Sequence, residues 1–116
     1  MSFRIKQSDT FKWPVKVPIP RDGGGFEVGA FDAEFKRLPR SESEKLANDV
    51  LSGEMTGLDA VRRILVGWSG VYDADGKSEV PFSETNREAL LEISGVAVSL
   101  FRVFMEANNG AAQAKN

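Results

Sequence analysis

The hydrophobic period changes at residue 40. Before it, apolar residues recur at every second position; after it they recur at the i, i+3, i+4 spacing of amphipathic helices. One chain must therefore place a β region ahead of an α region. With 116 residues, of which 41% are hydrophobic, only one modest core is available, so a single domain over residues 1–116 is expected. The class is α+β: a long N-terminal β-hairpin in 1–40, packed on a bundle of about four helices in 41–107, with a flexible polar tail in 108–116.

The first strand is Phe11-Lys12-Trp13-Pro14-Val15-Lys16-Val17-Pro18-Ile19, with Phe11, Trp13, Val15, Val17 and Ile19 on one face and Lys12 and Lys16 on the other. Pro14, Pro18 and Pro20 cannot donate ladder hydrogen bonds, which puts this strand at a sheet edge. Arg21-Asp22-Gly23-Gly24-Gly25 reads as a turn. The return strand, Phe26 to about Leu38, slips in phase: Phe26, Val28 and Ala30 have one parity, Phe31, Ala33 and Phe35 the other. That slip predicts a bulge near Gly29–Phe31. A two-stranded hairpin is marginal alone, so helices, another subunit or a third strand, for which Phe3–Ile5 is the candidate, must cover its aromatic face.

Helix signals begin after Pro39. Ser41-Glu42-Ser43-Glu44 spells a capping box, followed by a Leu46, Val50, Leu51 stripe that should stop near Gly53. Thr56 is the next N-cap, with Asp59 three residues on, and Leu58, Val61, Ile64, Leu65 and Trp68 predict one helix ended by Gly67 and Gly70. A polar loop, 71–83, follows; Ser83 or Thr85 caps a helix through Leu91, and a break at Ser94-Gly95 precedes a last helix to about Ala107.

Charge and composition narrow the function. Residues 1–40 carry eight basic and five acidic side chains, residues 41–116 seven and twelve, for a net charge of −2. With pI ≈ 5.2 there is no general attraction for nucleic acid or anionic lipid, and Arg62, Arg63, Lys12 and Lys16 read as solubilising charges. The chain has neither cysteine nor histidine, which removes disulfides, thiolate nucleophiles, Cys/His zinc sites and the imidazole base. The charged start Met1-Ser2-Phe3-Arg4-Ile5-Lys6 is unlike a signal peptide, and no apolar run is long enough to span a membrane. A soluble intracellular protein with no nucleic-acid or membrane partner is expected.

The chemical motifs read as structure. Asp73-Ala74-Asp75-Gly76 resembles the opening of an EF-hand loop, but aligning Gly76 to the loop glycine puts Val71 at its first position and Phe82 at its twelfth, and neither is a ligand. Gly23-Gly24-Gly25 lacks the Lys-Ser/Thr of a P-loop. Ser69 has no base to activate it, and Glu88 and Glu92 read as a solvated helix face. No catalytic residue, metal or cofactor is expected, and the chain should not be an enzyme. In the last helix Ser99, Arg102 and Glu106 fall within an arc of roughly 60° at about 100° per residue, and the rest is apolar. It is either the central helix of the domain or partly exposed for a partner, with Val96, Leu100, Phe101, Val103 and Phe104, together with Trp13 and Val15 of the hairpin, as candidate partner-binding residues.

Two stretches carry a family resemblance. Phe11-Lys12-Trp13-Pro14-Val15-Lys16-Val17-Pro18, Asp22-Gly23-Gly24 and Phe31–Pro39 form the first. Val66-Gly67-Trp68-Ser69-Gly70-Val71, Asp73-Ala74-Asp75-Gly76, Val80-Pro81-Phe82-Ser83, Asn86, Ala89-Leu90-Leu91 and Gly95-Val96 form the second. Together they resemble the tail assembly chaperones of long, non-contractile-tailed bacteriophages and prophages. The resemblance implies a host-cytoplasmic assembly factor, absent from the mature virion. Such a factor keeps the hydrophobic tape measure protein soluble and helps recruit tail tube protein, mainly through a longer form made by ribosomal frameshifting. Homo-oligomers are compatible with it. Trp68, Gly70, Asp73, Gly76, Pro81, Phe82, Ser83 and Asn86 are then motif positions with structural roles. Ala114-Lys115-Asn116 is compatible with the codons GCA-AAA-AAC, which contain a slippery heptamer. The competing readings are a tail or head–tail connector protein retained in the virion and, further off, a small hydrolase using carboxylates.

Overall fold

The computed structural model describes residues 1–110; Ala114, Lys115 and Asn116 lie outside the described residues. Strands β1 (Thr10–Pro20) and β2 (Phe26–Lys36) form the hairpin. Helices α1 (Arg40–Ser52) and α2 (Gly57–Ile64), strand β3 (Leu65–Ser69), and helices α3 (Glu84–Leu91) and α4 (Val96–Asn108) follow, so the class is α+β.

β1 and β2 pair antiparallel from Thr10–Lys36 to Pro20–Phe26. The Arg21 N–H donates to the Gly25 carbonyl at 3.2 Å, and at the other end the Arg37 N–H donates to the Asp9 carbonyl at 2.8 Å. Both bonds join odd-numbered residues, so the odd positions exchange hydrogen bonds across the hairpin and the even positions turn their backbone groups outward. Pro14, Pro18 and Pro20 are all even, which places the missing donors on the free edge of β1 as the sequence requires. Gly23, Gly24 and Gly25 have φ of 85°, 107° and 78°, so the turn runs through left-handed backbone that residues with a Cβ avoid.

No bulge interrupts Gly29–Phe31. The register is unbroken there, and the irregularity falls between Glu34 and Phe35, against β3. The parity change along β2 has another cause. Phe31, Ala33 and Phe35 face inward, whereas Phe26, Val28 and Ala30 lie on the outer face of a tip that projects past the end of β3.

The third strand is β3, not Phe3–Ile5. The sheet order is β1-β2-β3, with Asp32 opposite Ser69, Ala33 opposite Trp68 and Phe35 opposite Leu65. The helix expected to run to Trp68 stops at Ile64. Leu65 and Trp68 keep the i, i+3 spacing of the α2 stripe, but the bulge sets both toward the inner face of a strand. Pairing with β2 also explains Gly67: a Cβ there would lie 2.9 Å from a Glu34 carboxylate oxygen. Glu34 crosses the outer face above Gly67 to accept a hydrogen bond from the Thr10 hydroxyl at 2.8 Å.

The predicted capping box is absent. The N-cap of α1 is Pro39, without a side-chain cap bond; Glu44 pairs with Arg40 instead, and the Ser43 hydroxyl turns inward to donate to the Arg40 carbonyl at 3.1 Å. The other caps are as read. Thr56 Oγ1 accepts from the Asp59 N–H and Ser83 Oγ from the Asn86 N–H, each at 3.0 Å. Gly53 closes α1 and Gly95 opens α4, both with positive φ.

The core lies between the inner sheet face and the helices. Val15, Val17, Ala33, Phe35 and Leu65 meet Leu46 of α1, Ala60, Val61 and Ile64 of α2, and Val96, Leu100 and Phe104 of α4. Phe35 and Phe104 stack edge to face at 5.4 Å, with Phe11 against both. Asn108 is docked rather than frayed: its side-chain oxygen accepts from the Leu38 N–H and its amide donates to the Leu38 carbonyl, both at 3.1 Å.

Candidate binding face

Burial sorts the expected partner residues. Val15, Val96, Leu100 and Phe104 are buried core residues, Phe101 and Val103 are half-buried, and Trp13 is exposed at the sheet edge with its ring edge-on to Phe11. The seven do not form one surface. α4 is the central helix, and its outward arc is displaced from the polar stripe: Ser99 is buried, whereas Val98 is 73% exposed. Val98 and Arg102 share the outward row at i, i+4 spacing.

That row borders an open apolar groove of about 420 Å³ between α4 and the α1–α2 pair, lined by Val50, Gly57, Leu58, Ala97, Val98, Phe101 and Arg102. Leu51, on α1 beside Val50, is 85% exposed. Of the expected residues only Phe101 reaches this groove. Spacing does not single out the other lining residues: Val50, Leu51 and Leu58 belong to stripes that read as core, and Ala97 and Val98 lie on a helix apolar over most of its circumference. Leu51, placed in one stripe with Leu46 and Val50 by its spacing, and Val98 both lie out of phase with the positions that their helices bury.

The motif stretch from Trp68 to Asn86 forms one clasp. The Trp68 indole N–H donates to the Val80 carbonyl at 2.8 Å, and its ring meets Phe82 edge to face at 5.0 Å. It is half-buried on β3. Gly70, with φ of 81°, turns the chain out of β3. The Asn86 side-chain amide donates to the Pro81 carbonyl at 2.9 Å, beside the Ser83 cap. Between these ends, the Asp73 carbonyl accepts from the Gly76 N–H at 2.8 Å, and Gly76 takes φ of 70°.

Asp75 is committed to its own loop. Its carboxylate accepts from the Ser78 hydroxyl at 2.6 Å and from the Ser78 and Lys77 N–H groups, and these bonds hold its pKa down at about 2. Arg62 is more than a solubilising charge. Its guanidinium forks the Glu88 carboxylate, Nη2 donating to Oε1 at 2.6 Å and Nε to Oε2 at 3.1 Å, which joins α2 to α3 and lowers the Glu88 pKa. Among the described residues no group of three or more His, Cys, Asp or Glu is placed to hold a metal, and no helix is long and apolar enough to cross a membrane. The face can bind apolar surface, which needs no activated group.

No curated protein and no solved structure matches the chain. A family model for the YdaY prophage protein does match, over residues 30–116, a span that runs from mid-β2 through the Trp68–Asn86 clasp, β3 and all four helices. The chain belongs to the YdaY prophage protein family.

Proposed function

We propose that this prophage protein is a tail assembly chaperone that binds apolar helical segments of the tape measure protein and keeps them soluble in the host cytoplasm. The observation that carries this reading is the open groove beside Val98, Phe101 and Leu58, with Leu51 exposed next to it. A helix laid there would bury its apolar face against α4, α1 and α2. Contacts of this kind are non-directional and suit many client segments in turn. Recruitment of tail tube protein belongs to the longer, frameshifted form, and the chaperone leaves before the virion is complete. The mode of action is reversible apolar binding, without catalysis.

The test uses exposed groove positions, because Phe104→Asp would disrupt the core instead. Tape measure protein diluted from denaturant should stay in solution with the wild-type chain and precipitate with Leu51→Asp/Val98→Asp, while the variant keeps the wild-type circular dichroism. A folded double variant that solubilises as well as wild type defeats the groove assignment. Recovery of the chain in stoichiometric amount from purified particles favours the virion-component reading instead.

A further inference from the structure

The tip of the hairpin has an open side. β3 covers β2 only from Asp32 to Phe35, and Gly70 then turns the chain away. On Phe26–Ala30 the even positions point their backbone groups away from β1, so Phe26, Val28 and Ala30 present N–H and C=O groups along an edge that no strand among the described residues pairs with. Beneath this edge lies a small apolar hollow of about 140 Å³, lined by Val17, Ile19, Gly29, Phe31, Val71 and Ile93, among others. Above it, Phe26 and Val28 are 64% and 62% exposed.

The other end of the hairpin carries the complementary element. Met1-Ser2-Phe3-Arg4-Ile5-Lys6 alternates apolar and polar with strand period, yet forms no strand, and Phe3 and Ile5 are 90% and 100% exposed. Ser2–Lys6 and Phe26–Ala30 are equal in length. The arm's side-chain charges, Arg4 and Lys6, are basic, and Asp32, the β2 charge on the outer face beside the open edge, is acidic; Glu27 lies on the inner face, and Lys16 sits one strand further away, opposite Ala30.

The arm cannot reach its own edge. Ser8 is held beside Arg37, whose guanidinium donates to the Ser8 carbonyl at 2.9 Å. From there Lys6 reaches at most about 7 Å. Ala30, seven residues along β2 from Arg37, is about 23 Å away.

We propose that the arm of one copy adds as a strand to the open β2 edge of a second copy, Ser2–Lys6 lying along Phe26–Ala30. Arg4 then sits opposite Val28 in either strand direction. Phe3 and Ile5 face the hollow, and Arg4 and Lys6 stay in water on the outer face, the Arg4 stem crossing Val28. This assignment is independent of the client-binding groove, which lies on α1, α2 and α4.

Analytical ultracentrifugation of the full chain reads it out. The wild type should sediment at twice the 12.7 kDa chain mass or more. Phe3→Asp/Ile5→Asp and, separately, Val28→Pro, which deletes an edge N–H, should return it to the chain mass with unchanged circular dichroism. Because the chain has no cysteine, mixing Arg4→Cys with Val28→Cys chains under oxidation should give a covalent heterodimer that Arg4→Cys with Leu51→Cys does not. A wild type that is monomeric throughout, or a mixture without that cross-link, overturns the proposal. Association that survives Phe3→Asp/Ile5→Asp but not Val28→Pro overturns it as well, by setting two β2 edges against each other.

Discussion

β2 is one strand with two fates. Its root, Asp32–Phe35, lies between β1 and β3 with Phe35 sealed under Phe11 and Phe104. Its tip, Phe26–Ala30, has β1 alone and leaves Phe26 and Val28 in solvent. The alternation of apolar residues is equally good in both halves. A strand is secured by what lies on its second edge and on its faces, and those neighbours come from distant sequence.

Substitutions can break this contrast at measurable cost. Phe35→Ala should lose about 3–5 kcal/mol of unfolding free energy in urea titration, because a fully buried ring leaves a cavity. Gly67→Ala should cost about 1–3 kcal/mol, since its Cβ would press on Glu34, and should extend rapid amide exchange from the tip into Asp32–Phe35. Pairing it with Glu34→Ala should recover part of the loss. Asn108→Ala at the far end of the root should cost about 1–3 kcal/mol, because it strips two hydrogen bonds from the Leu38 backbone.

Acid sharpens the contrast without touching the sheet. Asp75 and Glu88 both have folded pKa values below their ordinary ones, the first through Ser78 and Lys77, the second through Arg62 and then Arg87. Each therefore supports the fold fully above its unfolded value and loses that support as pH falls through the folded one. For Asp75 the window runs from 3.8 down to about 2. NMR spectra across it should show the 73–78 loop and the α2–α3 contact changing before the β2 root does. The smallest effect belongs to the tip: Phe26→Ala should move stability by no more than about 0.5 kcal/mol in the same urea titration, as expected of an exposed position.

Much of the fold was legible because it is written locally. The three prolines of β1 mark an edge strand by chemistry alone, and Thr56, Ser83, Gly53 and Gly95 mark helix ends through cap hydrogen bonds or backbone freedom. Elements whose identity depends on a distant partner were misread. Leu65–Ser69 has apolar residues at spacings that fit a helix, and only the open side of β2 makes it a strand. Ser41 and Glu44 spell a cap, yet Ser43 faces inward and Glu44 turns to Arg40. The candidate groove was legible only at Phe101, because the rotation of α4 about its axis follows from which residues meet the sheet.

Periodicity, caps and missing donors act within a few residues, and they settle the α+β class, the N-terminal hairpin with the exposed edge of β1, and the helix ends at Gly53, Thr56, Ser83 and Gly95. The tertiary structure alone decided that β3 completes the sheet, that it stops short of the hairpin tip, and that Val98 rather than Ser99 faces outward. Those outcomes follow from how residues far apart in the chain share one small core, which local signals do not encode.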